Sequence, residues 1–107
     1  MLKNKMKIFY LRKSNPKKDS EGGVVESYES AIEDEAIIWP ASGRMQAELY
    51  GVRLTNILNI NYYGSLEITE SDGICINVKP QEEPDYKVIS VRQYLKFKVI
   101  EAEKRIT

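Results

Sequence analysis

Along most of this chain hydrophobic and polar residues alternate with a period of two, the repeat of a strand with one buried face. In residues 5–12, Met6, Ile8 and Tyr10 alternate with Lys5, Lys7 and Phe9, which predicts a strand. The pattern disappears in residues 13–33, where Ser14, Asn15, Pro16, Asp19, Ser20, Gly22 and Gly23 favour turns and cannot pack a core. A long loop is expected there, with a short piece of strand near Val24 and Val25. Residues 34–39 are rich in β-formers and end at Pro40, which lacks a backbone donor; Trp39 reads as a core anchor.

Residues 42–52 fit two periods. Met45, Leu49 and Val52 stand at helical spacing, while Met45, Ala47 and Leu49 alternate as in a strand. The strand is preferred, with a bend or bulge at Gly51. Leu58, Ile60 and Tyr62 alternate with Asn59 and Asn61, a second strand signal, since asparagine is a poor choice for a helix interior. Residues 66–70 and 74–78 flank Ser71, Asp72 and Gly73 and predict a hairpin on an Asp-Gly turn. Residues 80–85 form an acidic, Pro-bounded loop, and residues 86–94 and 95–99 alternate again before a charged tail over residues 101–107. Six or seven short strands, no long helix and no repeat predict one all-β domain over residues 1–107, a small β-barrel with long loops.

Composition narrows the function classes. The 107 residues are 42% hydrophobic and 30% charged, proportions of a folded globular domain. No apolar run approaches the roughly 18 residues of a membrane span, and Lys3, Lys5 and Lys7 interrupt the place of a signal peptide, so a cytoplasmic origin is expected. Cys75 has no partner for an internal disulfide and reads as a small buried hydrophobe. The chain has no histidine, which removes the commonest general base and transition-metal ligand. The adjacent carboxylates Asp34–Glu35 and Glu82–Glu83 point to opposite faces if they lie on strands. No calcium-loop spacing surrounds Asp19, and no Lys-Ser/Thr follows Gly22–Gly23 to make a phosphate loop. No catalytic residue, metal or cofactor is expected.

Net charge is zero but unevenly placed. Residues 1–18 hold seven of the sixteen Lys and Arg and no acid, while residues 19–35 hold seven of the sixteen Asp and Glu and no base. Solvated surface explains such runs as well as partner contact does. If they make contacts, the candidates are Lys13, Lys17, Lys18, Asp19, Glu21, Glu33, Asp34 and Glu35. Tyr62, Tyr63, Tyr86 and Tyr94 offer rings on which bases could stack, beside the plainer role of strand packing.

In order, several segments resemble the head-closure, or head-tail joining, proteins of long-tailed bacteriophages and of defective prophages in Gram-positive bacteria. They are the strand over residues 5–12, the loop over residues 19–23, Ile38-Trp39-Pro40-Ala41-Ser42-Gly43-Arg44, Ala47-Glu48-Leu49-Tyr50-Gly51 leading to Ile60-Asn61-Tyr62, Asp72-Gly73-Ile74, and Pro84-Asp85-Tyr86-Lys87-Val88. The resemblance implies a β-barrel with long loops that forms a ring beneath the portal's adaptor, seals the DNA exit channel and docks the tail. It implies a protein made in the host cytoplasm and ending at the virion's head-tail interface. Genomic DNA would pass the ring without sequence readout, and no membrane is involved. Blocks of opposite charge suit neighbours meeting head to tail in such a ring. The alternative from another class is a small barrel that binds single-stranded nucleic acid, for which the basic block and the tyrosines speak.

Overall fold

The computed structural model describes residues 6–18 and 20–105. Six antiparallel strands close into a barrel: β1 (Met6–Arg12), β4 (Ile32–Pro40), β5 (Ile57–Tyr62), β8 (Lys98–Lys104), β7 (Tyr86–Gln93) and β6 (Gly73–Cys75), with β6 returning to β1. The expected all-β barrel is therefore present. Two short strands, β2 (Lys17–Lys18) and β3 (Val24–Val25), pair with each other outside it.

Alternation decides which side chains fill the barrel. Phe9, Leu11, Ala36, Ile38, Ile60, Tyr62, Ile74, Val88, Ile100 and Ala102 point inward and form one cluster with Ile68 and Tyr86. At its centre Phe9 meets Tyr62 edge to face, with centroids 5.8 Å apart and rings at 85°. The Tyr62 hydroxyl donates to Asp34 Oδ2 at 2.5 Å and accepts from Leu66 N at 2.9 Å, so the one buried phenol on β5 is satisfied on both sides. Gly64 lies against that ring, where any side chain would collide with it.

Of the two rows on β1, the one with Phe9 and Leu11 is buried, and Met6 and Ile8 are exposed. Four expectations need correction. Trp39 is half-buried on the outer wall opposite Asn59, because its neighbours Ile38 and Ala36 take the inward positions. Residues 42–52 are not a strand: Arg44–Tyr50 is a helix, α1, followed by a 3-10 helix at Gly51–Asn56. Arg, Met, Gln, Ala, Glu and Leu are strong helix formers, and positive φ at Gly43 and Gly51 lets the chain enter and leave the helix sharply. The Asp-Gly pair is not a hairpin tip. Residues 66–70 form no strand, and β6 pairs with β1 and β7 instead, while Pro84 and Tyr28 pack so closely on Gly73 that a Cβ there has no room. Finally, the charged tail is largely β8: Ile100 and Ala102 face inward, Glu101 is buried, and Glu103 receives a two-bond grip from Arg53 at 2.8 and 2.6 Å.

The expected long loop is better ordered than its composition suggests. Glu29 N donates to Lys13 O, Ser14 bridges Tyr28, and Asn15 N donates to Ser27 O, so β1 and β4 continue past the barrel as a two-stranded ribbon ending in β2 and β3. From Leu11 to Lys18 the ribbon covers about 23 Å at ~3.3 Å per residue. A projection of that length fits the molecule's extents of 54 × 30 × 26 Å.

Candidate assembly surfaces

A closed barrel uses all its backbone edges, so exposed apolar side chains on its outside are the features left to explain. One group lies on the wall made by β1 and β4. Met6 faces Ile37, Ile8 faces Glu35, and Tyr10 faces Glu33, all on the outer side. The wall thus carries an apolar row on β1 beside an acidic row on β4. Of the sequence candidates, Glu33 and Glu35 belong to this wall; Asp34 points the other way, to Tyr62, and serves the core.

The ribbon holds the other candidates, and it separates them. Lys13 is an internal strut: its ammonium donates to Asp72 Oδ2 at 2.6 Å, Glu67 O at 3.1 Å and Thr69 Oγ1 at 3.2 Å. Asp72 is buried and also accepts from Ser14 N at 3.0 Å and Thr69 N at 2.9 Å. Burial by itself pushes this carboxyl up, but the Lys13 ammonium and the two amides outweigh it and hold it below the usual carboxylate range. Asp72 therefore ties the root of the ribbon to the loop after β5. On the opposite side of the root, Arg12 donates to Tyr28 O, Glu29 O and Glu82 O, and Arg105 lies 5.3 Å above the Tyr28 ring. Lys17 and Lys18 sit exposed on β2 opposite Val25 and Val24, and Glu21 is exposed in the turn between the strands. Asp19 lies outside the described residues.

A second surface is one that charge reasoning missed. Helix α1 lies over the outside of β5 and β8 with Gln46 and Tyr50 toward the wall and Arg44 and Glu48 exposed. Gln46 Nε2 donates to Asn59 Oδ1 at 2.8 Å and Glu101 Oε2 at 2.7 Å, while Gln46 Oε1 accepts from Ser42 N at 3.1 Å and Asn59 Nδ2 at 3.2 Å. Every polar atom of that amide is used. Met45, Leu49 and Val52, the residues at helical spacing, consequently face solvent at 84%, 64% and 93% exposure. An ordinary surface helix turns its apolar stripe to the core; this one leaves it in solvent beside Arg44 and Glu48. A groove of about 430 Å³ runs beside it, lined by Met45, Gln46, Glu48, Leu49 and Arg92. The signal was the 45, 49, 52 spacing itself.

A third surface is the β7–β8 turn. Tyr63, Phe97 and Tyr94 stack in a row at 5.3 and 5.2 Å, and Leu95 at the tip is 97% exposed. Of the four tyrosines considered for base stacking, Tyr62 and Tyr86 are buried in the core, while Tyr63 and Tyr94 are available.

Two tyrosines carry a testable pH signature. Burial, reinforced by hydrogen bonds to Glu26 and Asp34, pushes Tyr28 and Tyr62 each up to about 12. Each resists ionisation in the fold but not in the unfolded chain, so its stabilising share is intact below about pH 10 and is lost as pH rises toward 12. In an ultraviolet titration of the seven tyrosines, Tyr28 and Tyr62 are expected to ionise last, after Tyr50 and Tyr86, which burial also pushes up, and Tyr62→Phe should remove one of the two last steps. A variant trace with both late steps intact would refute the assignment.

The chain resembles the solution structure of protein SF1141 from Shigella flexneri 2a, with a TM-score of 0.58, 15% sequence identity, and coverage of 92% of this chain and 90% of that one. At that identity the likeness shows a shared fold. No protein-family model and no curated protein matches the chain. Among the described residues, no helix is long and apolar enough to cross a membrane.

Proposed function

We propose that this barrel is a structural part of a virion connector: a head-closure or head-tail joining protein that assembles as a ring, closes the DNA exit channel and gives the tail its docking surface. The observation that carries the reading is the apolar row of Met45, Leu49 and Val52, which α1 and the 3-10 helix after it present outward while Gln46 ties α1 to the barrel wall. A chain that works alone gains nothing from that arrangement; one that sits between other proteins needs apolar surface of this kind. The β1–β4 wall and the β7–β8 turn supply further surfaces on other elements, as a subunit with neighbours, an adaptor ring and a tail requires. The order of segments resembling head-closure proteins points the same way. In this role the chain has no reaction to catalyse, its partners are portal or adaptor and tail proteins, and it works at the head-tail interface after synthesis in the bacterial host. A net charge of zero suits a channel that DNA must leave, since a lumen gripping phosphate would slow its exit.

The test is to add purified protein to DNA-filled, tailless heads that lack it, then measure co-sedimentation and DNA leakage. Binding with DNA retained is the expected result. Absence of binding to heads with intact portal and adaptor would overturn it.

A second reading rests on the stacked Tyr63, Phe97 and Tyr94 beside Lys96: single-stranded nucleic acid could lie on these rings. Oligonucleotide affinity falling steeply with salt would favour it, and no binding at low salt would remove it.

A further inference from the structure

The outer faces of β5, β8 and β7 carry side chains in parallel rows fixed by the pairing register. Asn59, Glu101 and Ser90 form the first row, and Asn61, Val99 and Arg92 the second. The Tyr94 amide donates to Phe97 O at 2.8 Å and closes the β7–β8 hairpin on the tip Leu95-Lys96. Tyr63, Phe97 and Tyr94 therefore continue the pattern as a third row, stacked ring on ring. Helix α1 stands on the first row through the bonds of Gln46 to Asn59 and Glu101. The face is thus a step. Over the first row α1 raises the wall by one helix diameter, ~10 Å, and the third row, ~13 Å away along the strands, is a low aromatic shelf. Met45 and Leu49 line the riser, above the groove that Arg92 borders at its foot. Arg92 lies 3.9 Å from the buried Glu101 carboxylate, which counters its charge within the subunit.

A step of this shape is complementary to itself. Turned over about a two-fold axis along the second row, a second copy sets its α1 on the first copy's shelf and receives the first copy's α1 on its own. Met45 and Leu49 of each then meet Tyr94, Leu95 and Phe97 of the other. The charges agree with the shape. Glu48, on the riser side of α1 with its side chain 71% exposed, has only the exposed pair with Arg44 at 3.4 Å. Lys96, exposed at the hairpin tip, takes part in no ion pair among the described residues. Within one chain the two are held apart by the width of the step; the two-fold turn brings each Glu48 over the other copy's Lys96. Met45, Leu49, Tyr63, Tyr94 and Leu95, exposed from 47% to 97%, together open an area of the same order as the ~800 Å² that each partner covers in a standard interface.

We infer that the occupant of this step is a second copy of the chain, joined by reciprocal packing of α1 on the aromatic shelf and by two Glu48–Lys96 ion pairs. The contact is isologous and closes at two chains. It goes beyond the ring reading and does not rest on it, because it concerns what covers α1 in the free protein.

Sedimentation velocity of the full chain tests the contact, with L49D, E48K, K96E and the charge exchange E48K/K96E run beside wild type. All three positions are exposed, so the circular dichroism spectrum should not change. Wild type is expected to form a species of two chains, L49D to weaken it at least tenfold, and E48K and K96E to weaken it about tenfold each. The exchange should recover most of that loss, since the reversed charges again face their opposites. A wild type that stays monomeric up to millimolar concentration overturns the contact, and so does a dimer that L49D leaves intact. Charge reversals without effect, an exchange without recovery, or L49D-sensitive association that runs past two chains also overturn it. The readout is taken on the chain alone, so head closure is decided separately. A dimer with these sensitivities and no binding to tailless heads keeps the contact and removes head closure, while head binding by a strictly monomeric chain does the reverse.

Discussion

Phe9→Ala is expected to lower the stability of the barrel by about 4 kcal/mol, and Ile8→Ala to change it by no more than about 0.5 kcal/mol, in urea unfolding at a protein concentration that keeps the chain monomeric. The two residues are neighbours with opposite fates. Phe9 is fully buried and stands edge-on to Tyr62 at the centre of the cluster, so truncation removes the apolar area, the ring pair and the filling of a cavity that six hydrogen-bonded strands cannot collapse. Ile8 points outward and is half exposed, so truncation removes little that is buried. Domains of this size hold only about 5–15 kcal/mol in reserve, so the Phe9 variant sits close to unfolding at moderate temperature. Equal losses for the two variants would show that the strand faces are assigned the wrong way round.

The same pair shows where the sequence was legible and where it was not. Period two over residues 5–12 announces a strand, but it does not say which face is inside when both faces carry apolar residues: Met6, Ile8 and Tyr10 on one, Phe9 and Leu11 on the other. The decision is made by neighbours. β4 brings Ala36 and Ile38 to the inner side and Glu33 and Glu35 to the outer, and β1 must match them in register. Trp39 reads as a core anchor, whereas its position two residues from Ile37 commits it to the outer wall. Over residues 42–52 both periods fit and the strand is preferred, with Gly51 at a bend or bulge, yet the structure keeps the helical spacing and turns its apolar stripe outward. In this fold that stripe is the feature with the most to say about partners, which is why intrinsic propensity, favouring helix at Arg44–Tyr50, was the better guide. The candidate charges divide on grounds no linear pattern contains. Lys13 and Lys17 are alike in sequence, yet one stands beside a buried carboxylate and the other at a ribbon tip.

That carboxylate is where a single atom exchange has its greatest effect. Asp72→Asn is expected to cost about 3 kcal/mol at neutral pH, the range for removing one partner of a buried ion pair. The asparagine keeps the shape and one acceptor oxygen, but its amide nitrogen must face either the Lys13 ammonium and Thr69 N or the Ser14 N, donors against a donor. The sign of the pH dependence follows from the direction of the shift. Asp72 ionises more readily in the fold than in the unfolded chain, so its contribution is fully present above the unfolded value near 3.9 and disappears as pH falls through the lower folded value. Wild type should therefore lose, below about pH 4, a portion of stability that the asparagine variant lacks at every pH, and the two curves should converge in acid. The variant should also release the ribbon root, seen as faster hydrogen exchange at the Ser14 amide with the amides of β5 and β8 still protected. Parallel acid curves for the two proteins, or an unchanged exchange rate at Ser14, would mean that the ribbon is held by the Arg12 and Tyr28 side of its root instead.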